Sequence, residues 1–298
     1  MNIFRIHIKP GGGNKNFQAS FEHCLKHKIL GVGWRVNSLT TTKNWEEFYG
    51  IASENYDKLT ICKYINQHVK KDDLVWTRSR DGMYFIAKVA SGWEYFTTEE
   101  GQNRNIDIAN IFRCTDIRHV EIDKVPGKVV ASFRASRSIQ KVSGHQTLEY
   151  SKYLWNELSG NDDYKINGDK VSDIFTMLDD EETEDLIFLY LQVNGWYVVP
   201  NSRKGDTMSY EFYLINQQSR QKAFVQVKTG NSQIDRKGFK NLIKEGDVYL
   251  FQPNNKYKGA DNDRFIHLQN DDLESFIESH IEFLPKSIEF KREMINKF

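Results

Sequence analysis

Four polar residues in the C-terminal half of the sequence have the types and spacing that phosphodiester hydrolysis needs. Gln226 and Lys228 stand two positions apart in the apolar stretch AFVQVKT, and Glu211 stands fifteen positions before Gln226. Side chains two apart on a strand project from one face, so a hairpin would bring Glu211 beside them. Glu184, in the first turns of the preceding predicted helix, is expected at the same sheet edge.

Carboxylate and amide oxygens can hold a divalent cation that polarises a phosphate, and an ammonium group can hold the attacking water. The expected cation is Mg²⁺, with Mn²⁺ as an alternative, and its expected ligands are Glu211 and Gln226. Asp206, in the loop GDTMSYEF, competes with Glu211 for the role of the metal-binding acid.

A purely structural interpretation of these residues stays open. Glu211 and Lys228 would then form a cross-strand ion pair, Gln226 would be a polar position on a half-exposed sheet, and Glu184 would favour the helix dipole. The apolar residues around Gln226 predict a well-buried strand, in which an unpaired lysine is costly. Burial of Lys228 therefore favours the functional interpretation.

The elements that would position these residues alternate between helices and strands. An acidic helix start at residues 179–182 leads into an apolar helix that ends at Gly195, a natural C-terminal cap. The strands WYVVP, YEFYLI and AFVQVKT follow, then a basic helix over Asp235–Lys244, the strands DVYLF and RFIHL, and a helix over Asp271–His280. This order predicts a mixed sheet flanked by helices.

With these residues and this αβββαβ order, residues 175–280 resemble the PD-(D/E)XK nuclease superfamily, and its Mrr-like branch in particular, in which Gln replaces the usual acid of the triplet. The resemblance implies a restriction-endonuclease-like fold. It makes Glu211 the metal-binding acid, Gln226 the second ligand, Lys228 the catalytic lysine and Glu184 the helix acid.

Basic residues near this segment are candidates for phosphate contacts. Arg236, Lys240 and Lys244 follow each other at helical spacing, so this face and Lys237 would hold the DNA backbone. A solvated face is the alternative, as it is for Arg203 and Lys204 in the loop before Asp206.

The N-terminal half predicts strands joined by tight turns. Strands are expected over residues 1–8, over LVWTR, MYFIAKV and WEYF, and near Ile111–Ile117 and Lys128–Phe133. Arg80-Asp81-Gly82 and Ser91-Gly92 are hairpin signals. Helices are expected over Phe17–Leu30, Glu54–Val69 and Tyr150–Leu158, the last as a connecting helix.

Aromatic residues of this half gather near predicted strand ends, where rings can stack on a flipped base and polar neighbours can read its edge. Core packing explains most such rings equally well. The runs GVGWRV, DDLVWTRSRDGMYFIAKV and DKVPGKVVASF resemble the EVE domains of the PUA-like group, small β-barrels that include readers of modified bases. The resemblance implies a base pocket formed by Trp34, Trp76, Arg78, Trp93 and Asp107, and backbone contacts from Arg134, Arg137 and Lys141.

Composition sets the broad class of the chain. Its 298 residues predict two domains, and 39% hydrophobic residues are ordinary for a soluble globular protein. Residues 1–150 carry 22 Lys and Arg against 16 Asp and Glu, whereas residues 151–298 carry 19 against 25. The first half is thus expected to meet a polyanion and the second to include a cation site.

Three separated cysteines, Cys24, Cys62 and Cys114, predict buried thiols, and the absence of a signal peptide or apolar span predicts a cytoplasmic protein.

The sequence thus predicts a two-domain α+β or α/β chain: an EVE-like domain over residues 1–145, a connecting segment over 146–178, and a nuclease domain over 179–298. Its expected function is modification-dependent cleavage of double-stranded DNA, a type IV-like restriction in phage defence, carried out by a homodimer because one site cuts one strand. A nuclease for RNA or unmodified DNA, and an inactive nucleic-acid-binding protein with a nuclease fold, are the alternatives.

Overall fold

The computed structural model describes residues 1–8, 17–99, 106–168, 173–200, 202 and 210–297. They divide into two compact units, one of Met1–Val125 with Val129–Ile166 and one of Pro126–Lys128 with Asn167–Phe298. Both units combine helices with mixed sheets. Within the described ranges, no helix is long and apolar enough to cross a membrane.

The described strands of the first unit form one seven-stranded sheet in the order β2-β6-β5-β4-β1-β7, with β3 beside β5. The pairing of β1 with β4 is parallel and the other pairings are antiparallel. The strands are β1 (Ile3–Ile6), β2 (Ile29–Val32), β3 (Thr41–Thr42), β4 (Leu74–Arg78), β5 (Tyr84–Phe96), β6 (Asn110–Val120) and β7 (Ile139–Val142).

Helices cover both faces of this sheet. One face packs against α1, α2 and α3 around a core that contains Phe48, Val75 and Trp93. On the other face Trp76 bonds to Ser151 of α5. The helices are α1 (Phe17–His27), α2 (Trp45–Ser53), α3 (Thr60–His68), α4 (Gly127–Ser132) and α5 (His145–Ser159).

In the part of the chain that the structure describes, the first unit does not form the β-barrel predicted from the sequence. Closure would need β2 to pair with β7, but among the described residues β2 pairs with β6 and β7 with β1, so the sheet stays open. The predicted second hairpin is also wrong, because β5 continues through Ser91 and Gly92 with an irregular register between Val89 and Trp93. A glycine in a strand often marks such a bulge.

Two predicted elements of this unit have different structures. The segment Lys128–Phe133 lies mostly in α4 instead of a strand, since Pro126 precedes a helical turn that buries Val129. The helix predicted over Glu54–Val69 begins only at Thr60, and the preceding α2 was not predicted. Asn44 fixes the start of α2 by accepting two backbone N–H bonds, as a polar N-cap does. Cys24, Cys62 and Cys114 are free and buried, as expected.

The main sheet of the second unit has the order β14-β12-β10-β9-β8. The three strands β8, β9 and β10 form an antiparallel meander, and β10, β12 and β14 are parallel. A small parallel pair joins β11 and β13. The strands are β8 (Trp196–Val198), β9 (Phe212–Asn216), β10 (Lys222–Val227), β11 (Ile234–Asp235), β12 (Asp247–Phe251), β13 (Tyr257–Lys258) and β14 (Phe265–His267).

The two faces of this sheet bury different elements. One face packs against the four helices of the unit, with Val225, Val227 and Phe251 in its core. The other packs against the crossover between β10 and β12 through Phe224, Leu250 and residues such as Phe239. The helices are α6 (Ile174–Met177), α7 (Asp180–Val193), α8 (Asn270–Ser279) and α9 (Lys286–Lys297).

The crossover departs from the predicted order. The basic helix expected over Asp235–Lys244 consists of two short 3-10 turns, Arg236–Phe239 and Leu242–Lys244. Gly238 weakens a continuous helix here, and Asp235 caps the first turn by accepting the Lys237 N–H. The predicted strands and the helix that starts at residue 180 are present, and α9 was not predicted.

Candidate active site

A cleft of about 450 Å³ opens at the carboxyl end of β10, beside the first turns of α7. It combines side chains from the helix, the hairpin and the loop that follows β10. The lining residues are Asp180, Glu181, Glu184, Glu211, Val227, Lys228, Thr229 and Ser232. Three of the four residues singled out by spacing therefore line one cleft, and the fourth, Gln226, bonds to one of them.

The hairpin register brings Glu211, Gln226 and Lys228 together. Phe212 pairs with Val225, and the Glu211 N–H donates to the Val225 carbonyl, so Glu211 lies opposite Gln226. Gln226 Nε2 donates to Glu211 Oε1 at 2.6 Å, and Lys228 Nζ donates to the same oxygen at 3.1 Å. Period-two geometry on one strand and direct opposition across the hairpin account for this convergence.

Lys228 is more exposed than its apolar neighbours predicted. Strand β10 ends at Val227, so Lys228 lies just beyond it, 43% exposed and paired with Glu211. The expectation of an unpaired lysine in a buried strand is therefore wrong. Gln226 is the buried member of the group, at 6% exposure.

The helix side of the cleft is acidic. Asp180, Glu181 and Glu184 all come from the first five residues of α7, and the Thr229 hydroxyl donates to Asp180. With Glu211 the lining contains four carboxylates against the single ammonium of Lys228. Such a cleft attracts a cation and repels a phosphate unless a cation is present.

The N-terminus of α7 is held by a buried ionic network. Asp179 caps the helix in a capping box with Glu182, and its other carboxylate oxygen accepts the Lys128 N–H at 2.7 Å. Lys291 of α9, fully buried, forms an ion pair with Glu182. Burial, and then the neighbouring Glu182 charge, raises the pKa of Asp179 to about 6.

The loop after Lys228 is held by hydrogen bonds from the segment that follows β12. Buried Gln252 donates to the Gly230 carbonyl at 2.9 Å and accepts the N–H groups of Asn254 and Lys256. Lys256 Nζ in turn donates to Asn231 at 2.7 Å. These bonds hold the segment that contributes Thr229 and Ser232 to the cleft. Nothing in the local sequence pattern marks Gln252, since its role depends on the parallel pairing of β10 with β12.

The donor set suits a small hard cation held mainly by substrate and water. Among the described residues, no group of three or more His, Cys, Asp or Glu is arranged to hold a metal. Mg²⁺ commonly takes only one or two protein carboxylates and completes its shell with phosphate oxygens and water. Glu211 could supply one such carboxylate, and Asp180 and Glu184 line the same cleft. Gln226 directs its amide nitrogen at Glu211, so its role as an oxygen ligand needs the other amide orientation.

Several predicted phosphate contacts have other roles or lie elsewhere. Arg236 is half-buried and engaged by the Gly259 carbonyl, His267 and Asp261, so it is not an open phosphate ligand. Lys237, Lys240 and Lys244 are exposed on the crossover. Asp206, Arg203 and Lys204 lie outside the described residues.

In the first unit, the predicted base pocket is not assembled as expected. Trp76 is fully buried and donates through Nε1 to Ser151, which makes it a core residue. Arg78 stacks over the rings of Tyr84 and Phe133. Trp93 is buried on the opposite face of the sheet, within the core that contains Val75.

Trp34 and Asp107 lie near each other, because Gly33, which precedes Trp34, packs against the Asp107 carboxylate. Trp34 is half-buried with φ +63°, a conformation uncommon for residues other than glycine. Buried Asn110 donates to the Gly33 carbonyl and accepts the indole N–H of Trp93. A Cβ on Gly33 would overlap the Asp107 carboxylate. Trp93 therefore supports the Trp34 turn from within the core.

The predicted backbone residues Arg134, Arg137 and Lys141 are exposed around a loop that is built on a buried arginine. Arg5 donates to the carbonyls of Ser132, Ala135 and Arg137 and to the Gln140 side chain. Burial, and then the Arg137 charge, lowers the pKa of Arg5 to about 10. The loop thus presents its exposed cations on a fixed backbone.

No family model matches this chain, and no curated protein matches it either.

Proposed function

We propose that this protein is a metal-dependent nuclease that hydrolyses a phosphodiester bond of DNA at the cleft beside α7. The observation that supports this most directly is the convergence of Gln226 and Lys228 on one oxygen of Glu211. Glu184 lines the same cleft from the helix side. A carboxylate, an amide and an ammonium in an acidic cleft are the parts that metal-assisted hydrolysis needs.

A divalent cation, when bound, would polarise the phosphate and increase the acidity of water. Glu211 would hold it, with Gln226 as a neutral second ligand. Lys228 would offset the charge that develops on the phosphate and orient the attacking water, because its ammonium already lies 3.1 Å from the Glu211 carboxylate. Glu184, which lines the same cleft, would hold a water molecule or the cation from the helix side.

The first unit is proposed to direct the cut to a modified base. Trp34 and Asp107 are the remaining candidates for base contacts, since Trp76 and Trp93 are core residues and Arg78 stacks over the rings of Tyr84 and Phe133. Type IV-like restriction in phage defence is the biological setting that this proposal implies. Cutting both strands would require two copies of the site, hence a homodimer.

The test compares cleavage of matched DNA duplexes that are unmodified or contain 5-methyl- or 5-hydroxymethylcytosine, with Mg²⁺ or EDTA. We expect Mg²⁺-dependent cleavage that falls by about 10²-fold or more in Lys228→Ala, as expected for loss of charge stabilisation in the transition state. Lys258→Ala, an exposed lysine of the same unit, is the matched control and should cleave like the wild type.

Cleavage in EDTA, or cleavage unaffected by Lys228→Ala, would contradict the mechanism. Equal cleavage of all DNA duplexes would retain the nuclease and reject modified-base recognition. Preferential cleavage of an RNA duplex of the same sequence, assayed in parallel, would change the substrate.

A nucleic-acid-binding protein without cleavage is the second candidate, favoured by one observation. Lys228 is exposed and paired with Glu211, which is also what a surface ion pair beside a neutral glutamine looks like. Salt-sensitive DNA binding with no metal-dependent cleavage would select this alternative.

A further inference from the structure

A second, basic groove of about 500 Å³ lies at the amino ends of β10, β12 and β14, whereas the cleft lies at the carboxyl end of β10. Its cations come from three separate chain segments: the β9–β10 turn with the start of β10, the end of the crossover, and the residue before β14. The charged lining residues are Arg220, Lys222, Lys244, Arg264, Glu245 and Asp247. The four cations outnumber the two carboxylates, so the groove is net positive.

None of these four cations has an ion-pair partner among the described residues. Lys244 Nζ donates to an oxygen that carries no charge, Asn241 Oδ1, at 3.4 Å. Glu245 and Asp247 line the groove without pairing with its cations. Other surface cations of this unit do have carboxylate partners, as Arg292 has with Glu278. Cations that stay unpaired beside two acids are available to an external anion.

The floor of the groove is tightly built. Gly246 packs against the backbone of Lys222 so closely that a Cβ would overlap its carbonyl oxygen. The Gly246 N–H also donates to the Leu242 carbonyl at 3.0 Å, which fixes the turn that leads into β12. The cations therefore project from a fixed backbone, which limits the entropic cost of binding an anion.

Because the cleft is acidic, a nucleic acid that reaches it would need a basic surface elsewhere on the protein to bind. Four carboxylates and one lysine cannot by themselves hold a polyanion. Lys222 begins β10 and Lys228 directly follows its last residue, six positions later, a separation of roughly 20 Å at about 3.3 Å per residue. Exposed Lys237 and Lys240 lie on the crossover, which runs from the carboxyl end of β10, where the cleft lies, to the amino end of β12, where the groove lies.

We infer that this groove, formed by Arg220, Lys222, Lys244 and Arg264, binds the phosphate backbone of duplex DNA while another part of the duplex occupies the cleft. The inference rests on the proposed function for its substrate. The groove supplies affinity without reading sequence, as phosphate contacts do.

The test measures binding of a short fluorescein-labelled DNA duplex by anisotropy in EDTA over a series of NaCl concentrations. The groove variant combines Arg220→Gln, Lys222→Gln, Lys244→Gln and Arg264→Gln. The control removes the same charge from the first unit with Lys43→Gln, Lys58→Gln, Lys63→Gln and Lys71→Gln, which are all exposed. Far-UV circular dichroism and the unfolding midpoint establish that each variant is folded.

We expect the groove variant to bind at least about 10-fold more weakly at low salt. The slope of log affinity against log salt should fall by about 0.9 for each phosphate that the groove no longer neutralises. The control should keep most of the wild-type affinity and slope. If the fourfold variant does not fold, the double variants Arg220→Gln/Lys222→Gln and Lys244→Gln/Arg264→Gln should each show part of this reduction in slope.

An unchanged slope in the groove variants, an equal reduction in the control, or no binding by the wild type would each overturn the inference. Lys228→Ala separates it from the proposed function. This variant should lose cleavage but keep salt-sensitive binding. Groove-dependent binding without metal-dependent cleavage would reject the nuclease and leave the groove in place.

Discussion

The Glu211 carboxylate accepts two hydrogen bonds on a single oxygen, from the neutral Gln226 amide and from the charged Lys228 ammonium. A neutral partner preserves the carboxylate charge, whereas a second acid at position 226 would compete for the same cation and raise the local repulsion. The residue type at 226 therefore sets how much negative charge this group of side chains holds.

Gln226→Glu tests this dependence. We expect its unfolding midpoint in EDTA to fall, because two carboxylates would lie at the place where an N–H now donates at 2.6 Å. Mg²⁺ should raise that midpoint more than it raises the wild-type midpoint, since binding to the native state stabilises it. Thermal unfolding with and without Mg²⁺ measures both effects.

Gln218→Glu, in the exposed β9–β10 turn, is the control and should respond to Mg²⁺ like the wild type. An equal response of all three proteins would argue against a cation site at position 226.

Residue-level prediction succeeded where a short rule decides the geometry. Strand periodicity places Gln226 and Lys228 on one face, and the hairpin places Glu211 opposite. It failed where burial depends on distant elements. Trp76 looks like a strand-end aromatic in the sequence, but α5 covers it and supplies Ser151. Asp180 was passed over as a candidate because only the folded loop brings Thr229 to it.

At the level of elements, the second unit follows its sequence pattern closely except in the crossover. Apolar runs such as DVYLF match β12 residue for residue, since a buried parallel strand needs continuous apolar sequence. The crossover has the basic spacing of a helix but contains Gly238, and tertiary packing of Phe239 against the sheet selects 3-10 turns. Propensity alone could not decide between these structures.

Gly246→Ala should destabilise the protein by about 1–3 kcal/mol, because the new Cβ would overlap the Lys222 carbonyl and the backbone of both segments must shift. Gly238→Ala is a matched control in the same crossover, with open space around its Cβ, and should be neutral or slightly stabilising. Urea denaturation measures both free energies of unfolding. Equal effects of the two substitutions would contradict the close approach at Gly246.

At the scale of the whole molecule, charge and chemistry are divided along the chain. The first half carries the excess of basic residues, and the acidic cleft lies in the second half, which carries the excess of acidic residues. The open sheet of the first unit was not predictable from its strands, because barrel closure depends on whether two edge strands meet, which local patterns do not encode.

The pH dependence of stability is a property of the whole folded chain, and Asp179 should contribute to it. Its folded pKa of about 6 lies above the ordinary value of 3.8, so the folded state holds the proton more tightly. Stability from this group is therefore present below pH 4 and lost as the pH rises through 6.

Asp179→Asn removes this titration but keeps a good N-cap. Relative to the wild type, its free energy of unfolding should increase by roughly 2 kcal/mol between pH 4 and 7, at about 1.4 kcal/mol per pKa unit. Chemical denaturation across this range measures the difference. Asp271→Asn, on the exposed first turn of α8, should follow the wild type at every pH. A constant difference between Asp179→Asn and the wild type would contradict the raised pKa.

The buried pair of Glu182 and Lys291 joins residues that are 109 positions apart in the chain. The ribosome synthesises the chain from its N-terminus, so Glu182 leaves the ribosome long before Lys291 is added. Burying that carboxylate alone would leave a costly unpaired charge. We expect the start of α7 to stay hydrated until α9 has been translated. The acidic wall that α7 contributes to the cleft would then be completed only after the β9–β10 hairpin that contributes Glu211 and Lys228.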